Sequence, residues 1–418
     1  MPNQTPIKAP LSYLLIARYI IIHLLLLILV YIVYGFLTKQ ILFPSESAFL
    51  NMDAQNYLKI KNSGYSYSEA YGSLVAFFPG FPYLWKYSGL GLYGICFLNA
   101  SIFLVSFLFL CREFAHNKFE ILFFLSLPSI LFMYVPFSES LFFATSTILL
   151  IGLSKRNTGL VMAGLFLCSI TRSAANIFLP AIIIMEIIAS ENPSRIKNIF
   201  LYLLSAVSGV MLVVWIQFAQ TGHWFVFLST QKYWGVALRF PVLPFHTWGK
   251  MDYLDGASLV AGLIAIWMVL KYLYQFLAKK ERFANKAVIF SLLYISGLTF
   301  FTIAFKGGAI FSFNRYIIPT AFFMVGLCYF IREKSFTYKQ TAIAALVIFI
   351  LWLPFFYSFV HILVITGFLI LTLYIGLYML LNHKNHSTRR TAFLVLYGIN
   401  LIAQVFLIYK FTTLHWVG

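Results

Sequence analysis

A series of apolar runs along almost the whole chain most limits what this sequence can fold into. A helix crosses the hydrocarbon core of a bilayer in about 20 residues, with roughly 17 as the usual lower limit. We find apolar runs at 12–37, 91–111, 119–135, 138–153, 159–171, 174–189, 197–217, 257–277, 286–305, 316–331, 340–356, 359–381 and 391–410. The pattern predicts an all-α integral membrane protein, a polytopic helical bundle of roughly 13 spans, in which residues 1–418 form a single transmembrane domain.

Composition supports the membrane assignment and excludes nucleic acid as a partner. Hydrophobic residues make up 61% of the 418 residues and charged residues only 10%, whereas a soluble domain carries roughly 25% charged residues. The net charge of +18 is not gathered in a compact basic domain that could bind nucleic acid. The four cysteines lie in or at the edges of apolar runs without any C-x-x-C pair, so neither a disulfide framework nor a metal cage is predicted.

Clusters of basic residues between the apolar runs predict the orientation of the chain. With the N-terminus inside, alternate loops bring these clusters to one side: Lys8/Arg18, Arg112/Lys118, Lys155/Arg156, Arg195/Lys197, Lys279/Lys280/Arg282, Arg332/Lys334 and Lys384/Arg389/Arg390. The positive-inside rule makes that side the cytoplasm and leaves the C-terminus outside. The first apolar run is too long for a signal-peptide core and lacks a small-residue cleavage site, so we expect a membrane anchor.

Three segments remain on the outer side in this orientation: 38–90, 217–256 and 306–315. The first two are too long for structureless loops, and their aromatic, mildly amphipathic composition predicts helices that lie at the membrane surface. Within the membrane, the runs between 119 and 189 are short and are interrupted by Pro128, Pro136 and Pro180, which predicts broken or tilted helices there. No internal repeat is visible, which argues against a transporter built from inverted repeats.

Asp53 is the first candidate for chemistry in the outer segments. In a helix, Asp53, Asn56, Tyr57 and Ile60 would share one face, and Asn51 would be the N-cap that places Asp53 in the first turn. The helix dipole favours a carboxylate there, so Asp53 is either a solvated residue that stabilises the helix or a general base on the outer face.

Glu139 and Arg172 flank apolar runs on the same predicted side. Ser138 could cap a helix with Glu139 in its first turn, or Glu139 could be a second carboxylate near Asp53. Arg172 has no acidic residue nearby in sequence. An arginine between two apolar runs is usually retained for a partner or a ligand. This favours an anion-binding role over extension of the side chain to the membrane surface.

The segment from Lys306 to Tyr316 suits a phosphate. Gly307 and Gly308 would let backbone N–H groups approach an anion, and Lys306, Ser312 and Arg315 would add charge and donors. In the second outer segment, side chains could hold a lipid head or a sugar ring, although anchoring at the interface explains them equally. The candidates there are Gln231, Lys232 and Trp234.

Taken together, these segments resemble the bacterial relatives of the PIG-V mannosyltransferases, which are multi-span GT-C glycosyltransferases. The matching motifs, in order, are Asp-Ala-x-x-Tyr-Leu-x-Ile-x-x-x-Gly-Tyr (Asp53 to Tyr65), Phe-Phe-Pro (Phe77 to Pro79), Pro-x-x-Glu-Ser-Leu (Pro136 to Leu141), Thr171-Arg172 with Asn176, Thr221-Gly222, Gln-x-x-Trp-Gly (Gln231 to Gly235) and Ser-x-x-Arg-Tyr (Ser312 to Tyr316). The sequence departs from the family pattern at two places, and these departures bear on which sugar or acceptor is used more than on the type of reaction. Asn51-Met52 stand where the family usually has a tryptophan before its aspartate, and His223-Trp224 replace an acidic residue and proline.

The resemblance implies a GT-C fold and inverting transfer of a sugar, typically mannose, from a polyprenyl-phosphate donor to a lipid or glycan acceptor. This would take place at the periplasmic or exterior face of a bacterial inner membrane, without a cofactor or metal. It makes Asp53 the general base and Arg172, Lys306 and Arg315 the ligands of the donor phosphate. It adds as substrate-binding candidates Asn56, Tyr57, Glu139, Asn176, Gln231, Trp234 and Ser312.

Three other readings stay open: a GT-C transferase for another sugar, a lipid or glycan transporter or flippase, and a non-catalytic scaffold that retains the fold. No DxD pair lies in the outer segments, which argues against a metal-dependent nucleotide-sugar mechanism. Asp252 and Asp255 are three residues apart at a predicted helix start, and we interpret them as capping charges.

Overall fold

The computed structural model describes a helical protein. It covers residues 11–39, 43–69, 73–189, 194–243, 245, 247, 252–283, 285–333, 335–356 and 362–417. Helix accounts for 78% of the structure, and the described residues form no β-strand. The prediction of an all-α protein is therefore confirmed. Lys8, Lys334 and parts of the two long outer segments and of the run 359–381 lie outside the described residues.

The helices follow one another along the whole chain. They are α1 (Tyr13–Thr38), α2 (Ala54–Ser63), α3 (Gly80–Ser88), α4 (Leu92–Phe114), α5 (Lys118–Ser126), α6 (Glu139–Ser154), α7 (Thr158–Thr171), α8 (Ala175–Ala189), α9 (Arg195–Thr221), α10 (Val226–Gln231), α11 (Asp252–Lys279), α12 (Lys286–Lys306), α13 (Phe313–Ile317), α14 (Ala321–Glu333), α15 (Tyr338–Phe356), α16 (Ile362–Leu380) and α17 (His386–Thr412). Short 3-10 helices cover Glu46–Phe49, Leu74–Ala76, Pro128–Met133 and Lys232–Trp234.

Six helices in the described part of the chain are long and apolar enough to cross a membrane: α1, α4, α9, α11, α12 and α17. The shorter apolar helices are α6, α7, α8, α14, α15 and α16. Many of their large apolar side chains face outward, as expected for surfaces that contact lipid. The structure supports a helical membrane protein, while the number of about 13 spans stays a prediction.

The apolar run 119–135 does not form one helix. The short helix α5 ends at Ser126, and a 3-10 helix follows from Pro128 to Met133. Leu127 has φ −57° and ψ 131°, the extended conformation expected for a residue that precedes proline. Pro180, by contrast, lies inside α8 without ending it. The predicted break in this part of the chain is thus found at Pro128.

Glycines let several helices approach closely. A Cβ atom on Gly164 of α7 would lie 2.6 Å from the backbone of Leu149 in α6, and one on Gly209 of α9 would lie 2.7 Å from the carbonyl oxygen of Phe166. Small residues at such contacts are typical of helices that pack within a membrane. The first contact joins α6 to α7 and the second joins α9 to α7.

Helix α12 defines two ends of the bundle. At its first residue, Lys286 Nζ donates a hydrogen bond of 2.6 Å to Glu186 Oε1. At its last residue, Lys306 Nζ lies 5.2 Å from the centre of the Tyr316 ring. A helix of this length spans about 30 Å, so the two groups of charges are separated by the thickness of the bundle. We call the end with Tyr316 the cluster end and the other the opposite end.

Helix α6 connects the same two ends. Its first residue, Glu139, lies at the cluster end, and the hydroxyl of its last residue, Ser154, donates to Glu113 at 2.6 Å. The cluster end also carries the first outer segment and the end of α17, because the Asn51 amide donates to the carbonyl oxygens of Phe411 and His415 at 3.0 and 2.9 Å. The first outer segment and the C-terminal helix end therefore share one side, as the orientation argument requires.

Candidate functional site

Four charged side chains from four separate segments meet at the cluster end. Asp53 precedes α2, Glu139 begins α6, Arg172 follows α7 and Arg315 lies in the short helix α13. They are separated by up to 262 residues in sequence, from 53 to 315. We call these four residues the ion cluster. All four were candidates from the sequence, and the fold brings them together.

Arg315 lies at the centre of the ion cluster. Its Nη1 atom is 2.6 Å from Asp53 Oδ2, and its Nε atom donates to Glu139 Oε1. Arg172 Nη1 lies 3.5 Å from the same Oε1 atom. Arg315 thus joins the carboxylates of Asp53 and Glu139, and Glu139 in turn joins Arg315 to Arg172.

Burial makes these interactions strong. The Arg315 side chain is only 3% exposed and that of Glu139 is fully buried. The guanidinium lies 4.4 Å from the ring centre of Phe137 and 5.4 Å from that of Phe132. Burial alone would lower the pKa of Arg315, but the Asp53 and Glu139 carboxylates beside it raise the pKa well above its usual value. Arg315 therefore stays a cation throughout the pH range in which proteins are folded.

Three cations surround the ring of Tyr316. The guanidinium carbon of Arg172 lies 5.2 Å from the ring centre, Lys306 Nζ also lies 5.2 Å away, and the Arg315 guanidinium carbon lies 5.9 Å away. Arg172 additionally packs over Phe142 at 5.5 Å. Arg172 is therefore held between two rings and paired with Glu139.

The backbone before α2 differs from the sequence prediction and leaves Asp53 available. Asn51 is not the N-cap; its amide binds the end of α17, and Met52 adopts a left-handed conformation with φ 51°. Asp53 itself holds the N-cap position, but its side chain makes no capping hydrogen bond. The carboxylate instead pairs with Arg315 and is 26% exposed. Asp53 is thus not a solvated residue that only stabilises the helix.

Ser138 also has a partner other than the helix it precedes. It occupies the N-cap position of α6, but its side chain makes no capping hydrogen bond. Its hydroxyl instead accepts a hydrogen bond of 3.0 Å from Tyr57. Burial, together with the nearby Glu139 and Asp53 carboxylates, raises the pKa of Tyr57, so that its phenol stays protonated and donates. Of the predicted face of α2, Tyr57 and Ile60 point into the protein.

The remaining candidates do not join the ion cluster. Asn176 is exposed and Asn56 is half-buried, and the Gln231 amide donates to the Phe227 carbonyl oxygen of its own helix at 3.3 Å. Ser312 has φ 62° and contributes its backbone carbonyl, which accepts from the amide of Arg315 at 3.1 Å. Trp234 ends a 3-10 helix, and its side chain lies outside the described part of the structure.

The two glycines after Lys306 face the chain's own second outer segment. A Cβ atom on Gly307 would lie 2.5 Å from Arg239 Cδ, and one on Gly308 would lie 2.4 Å from the Val242 carbonyl oxygen. The amide of Val242 donates to the Gly307 carbonyl oxygen at 3.2 Å. The close approach predicted for an anion is therefore made here by protein backbone and by Arg239.

Sequence analysis missed a buried group behind the ion cluster. Asp255 is fully buried and binds Asn314, the neighbour of Arg315, instead of capping its own helix, so its interpretation as a capping charge is wrong. Asn314 in turn accepts a hydrogen bond of 2.7 Å from the Ser129 hydroxyl. These residues are far apart in sequence, and an acidic residue near a helix start is the ordinary signature of a cap. Only the fold reveals the contact.

One carboxylate oxygen remains open at this site. Glu139 Oε2 is buried without a hydrogen-bond partner, whereas the Asp53 side chain is 26% exposed and pairs with Arg315 through Oδ2. A buried carboxylate oxygen normally accepts at least one hydrogen bond, so the site has capacity for a further donor. No group of three or more potential metal ligands gathers within the described ranges.

The ion cluster can thus bind an anion through its cations and accept a proton or hydroxyl hydrogen bond through its carboxylates. These two capacities lie within one site that is largely shielded from water, where electrostatic interactions are strengthened. Comparisons of this chain with protein-family models, with curated proteins and with solved structures found no match.

Proposed function

We propose that the protein is an inverting glycosyltransferase of the GT-C type that uses a polyprenyl-phosphate sugar as donor. The sugar passes to a lipid or glycan acceptor at the outer face of a bacterial inner membrane, and mannose is the first sugar to test. The observation that carries the proposal is the ion cluster, which combines a partly exposed carboxylate with cations beside apolar helices.

Asp53 is the general base in this proposal. The acceptor hydroxyl oxygen attacks the anomeric carbon of the sugar, the bond from that carbon to the phosphate oxygen breaks, and configuration inverts. The hydroxyl proton passes to the Oδ1 atom of Asp53, while Oδ2 is held by Arg315 at 2.6 Å. Fixing one oxygen aims the other, which is the orientation that general base catalysis needs.

The cations stabilise the leaving group. The lipid phosphate departs as an anion, so it needs positive charge more than it needs a proton. All three proposed phosphate ligands, Arg172, Lys306 and Arg315, lie within 6 Å of the centre of the Tyr316 ring. Arginine can bind phosphate oxygens through two parallel donors, whereas lysine acts as a point charge.

In this proposal Glu139 has a different role from the substrate-binding role that the resemblance implies. Because it is fully buried and bonded to both arginines, we propose that it positions them and contacts substrate only through its open Oε2 atom. Without it, two guanidinium groups would repel each other beside Tyr316. The two carboxylates thus divide between proton transfer, at Asp53, and arrangement of the cations, at Glu139.

The test is sugar transfer by the purified protein in detergent. Radiolabelled polyprenyl-phosphate mannose, glucose and arabinose are offered one at a time with a cellular lipid extract as the source of acceptor. We expect label to move from one donor to a new lipid with wild type and not with Asp53→Asn. Transfer from glucose or arabinose alone would correct the sugar, and no transfer from any donor would contradict the proposal and favour a transporter.

A further inference from the structure

Asp255 is a fully buried carboxylate with a complete set of short contacts at the cluster end. Its Oδ1 atom accepts two hydrogen bonds from Asn314, one from the backbone amide at 2.9 Å and one from the side-chain amide at 2.7 Å. Its Oδ2 atom accepts from the Thr247 hydroxyl. A carboxylate is costly to bury unless such donors compensate it, so the arrangement requires a reason.

Asn314 transmits this contact to the ion cluster. It is fully buried and immediately precedes Arg315. While its amide nitrogen donates to Asp255, its amide oxygen accepts from Ser129 at 2.7 Å. The side chain is therefore held on both sides, by α11 and by the 3-10 helix Pro128–Met133 that also provides Phe132 beside Arg315.

Helix α13 cannot hold Arg315 in place by itself. It has five residues, fewer than two turns, and it begins after Ser312, a non-glycine residue in the left-handed region at φ 62°. Such a conformation costs about 1 kcal/mol or more and persists only where surrounding contacts impose it. The bonds from Asn314 to Asp255 are those contacts, because they join the amide just before Arg315 to a long helix.

We propose that Asp255 is a positioning residue that acts through Asn314 to hold the Arg315 guanidinium between Asp53 and Glu139. The inference deepens the proposed function, and its value for catalysis rests on that function. Asp255 does not touch the ion cluster carboxylates; it determines where the arginine that joins them can lie. Lys306 also interacts electrostatically with Asp255 and with Arg315, so a role of the Asp255 charge must be separated from a role of its hydrogen bonds.

The first readout is the coupling between Asp53 and Arg315, measured by thermal unfolding of the full chain in detergent. Asp53→Asn removes the charge of one of the two carboxylates that bind Arg315 and should lower the Tm of the otherwise wild-type protein. In an Asp255→Ala background we expect a much smaller Tm change from Asp53→Asn, because Arg315 has already moved away. A Glu120→Ala background removes a buried carboxylate at the opposite end. There we expect Asp53→Asn to lower Tm by as much as it does in the otherwise wild-type protein.

Asp255→Asn separates hydrogen bonding from charge. Its amide oxygen can still accept both bonds from Asn314, and its amide nitrogen can donate to the Thr247 hydroxyl oxygen. We expect this variant to keep the Asp53 coupling. If Asp255→Ala does not fold, Asn314→Ala removes the side-chain bonds to both Asp255 and Ser129 and should reduce the coupling. An unchanged coupling in Asp255→Ala or Asn314→Ala, or a coupling lost in Asp255→Asn, would overturn the positioning role.

The second readout is sugar transfer. A displaced Arg315 should lower kcat by a factor on the order of 10 to 100, and Asp255→Asn should restore most of the rate. The two readouts keep the two proposals apart. Loss of coupling without any transfer by wild type would contradict the proposed function and leave the positioning role intact. A rate of sugar transfer that is unaffected by Asp255→Ala would overturn the positioning role of Asp255 and leave the proposed function intact.

Discussion

Two buried glutamates at the two ends of the bundle are held by arginines in different ways. At the opposite end, both oxygens of Glu120 are satisfied. Oε1 accepts from Asn117 at 2.9 Å and from Arg332 at 3.1 Å, and Oε2 accepts from the His116 amide and from Arg332, both at 2.8 Å. At the cluster end, Glu139 shares one oxygen between two arginines and leaves the other without a partner.

The difference separates a structural contact from a site with unused capacity. Glu120 and Arg332 form a closed pair that joins α5 to α14 and also binds the Phe114 carbonyl oxygen. The ion cluster has an open oxygen on Glu139, and its two arginines lie near the Tyr316 ring together with Lys306. An unsatisfied buried polar group destabilises the fold, so the open oxygen of Glu139 gives this site capacity for a further donor.

The largest difference is expected between the two arginines. Arg315→Gln removes a cation of the donor site and releases Asp53, so kcat/KM should fall by a factor of about 10² to 10³. Arg332→Gln should lower Tm but leave the transfer rate per folded molecule near that of wild type. The two rates are compared after correction for folded protein by size-exclusion chromatography. Equal losses of rate would break the distinction between the ends.

A smaller effect is expected when charge is kept and shape is changed. Arg172→Lys preserves the cation but loses the planar group that lies over Phe142 and Tyr316. We expect KM for the donor to rise about tenfold, which corresponds to about 1.4 kcal/mol of binding. Arg156→Lys, at an exposed turn of the opposite end, is the matched control and should leave KM unchanged. A donor KM that does not respond to Arg172→Lys would remove Arg172 from the donor site.

The smallest effect is expected from single hydroxyl groups. Tyr57→Phe removes the donor to Ser138 beside Glu139, at a cost of about 1 kcal/mol, and should reduce the transfer rate several-fold because α6 begins at that contact. Ser154→Ala removes the hydroxyl that donates to Glu113 at the other end of α6. It should alter Tm alone. A rate loss in Ser154→Ala as large as that in Tyr57→Phe would show that both contacts merely support the helix.

The charged members of the site could be predicted from the sequence because chemistry limits where charges occur in an apolar chain. With charged residues at 10% of the total, each charge beside an apolar run was a candidate for pairing or function. The pairing of Arg172 with Glu139 could also have been predicted from the sequence. Helices α6 and α7 form a hairpin whose turn lies about equally far from Glu139 and from Arg172, so the two residues meet at its open end.

The positioning groups could not be predicted in the same way. Asn314 and Asp255 are 59 residues apart, and Ser129 lies 185 residues before Asn314. Nothing in their spacing distinguishes them from a cap, a polar loop residue and a helix hydroxyl. Their roles depend on how α11, α13 and a 3-10 helix pack, which periodicity does not encode. The conformation before α2 was missed for the same reason, because Asn51 is bound to the distant end of α17.

The sharpest measurement is a crossed comparison of Asp53→Asn with Glu120→Gln, in which transfer rate and Tm are recorded on the same preparations. We expect Asp53→Asn to lose transfer by a factor of about 10² to 10⁴, with a loss of Tm that is measurable but smaller than that of Glu120→Gln. Glu120→Gln should lose stability on the order of 2 kcal/mol and keep its transfer rate per folded molecule. Transfer that survives Asp53→Asn, or rate losses in both variants that follow their losses of stability, would contradict the assignment of chemistry to the ion cluster.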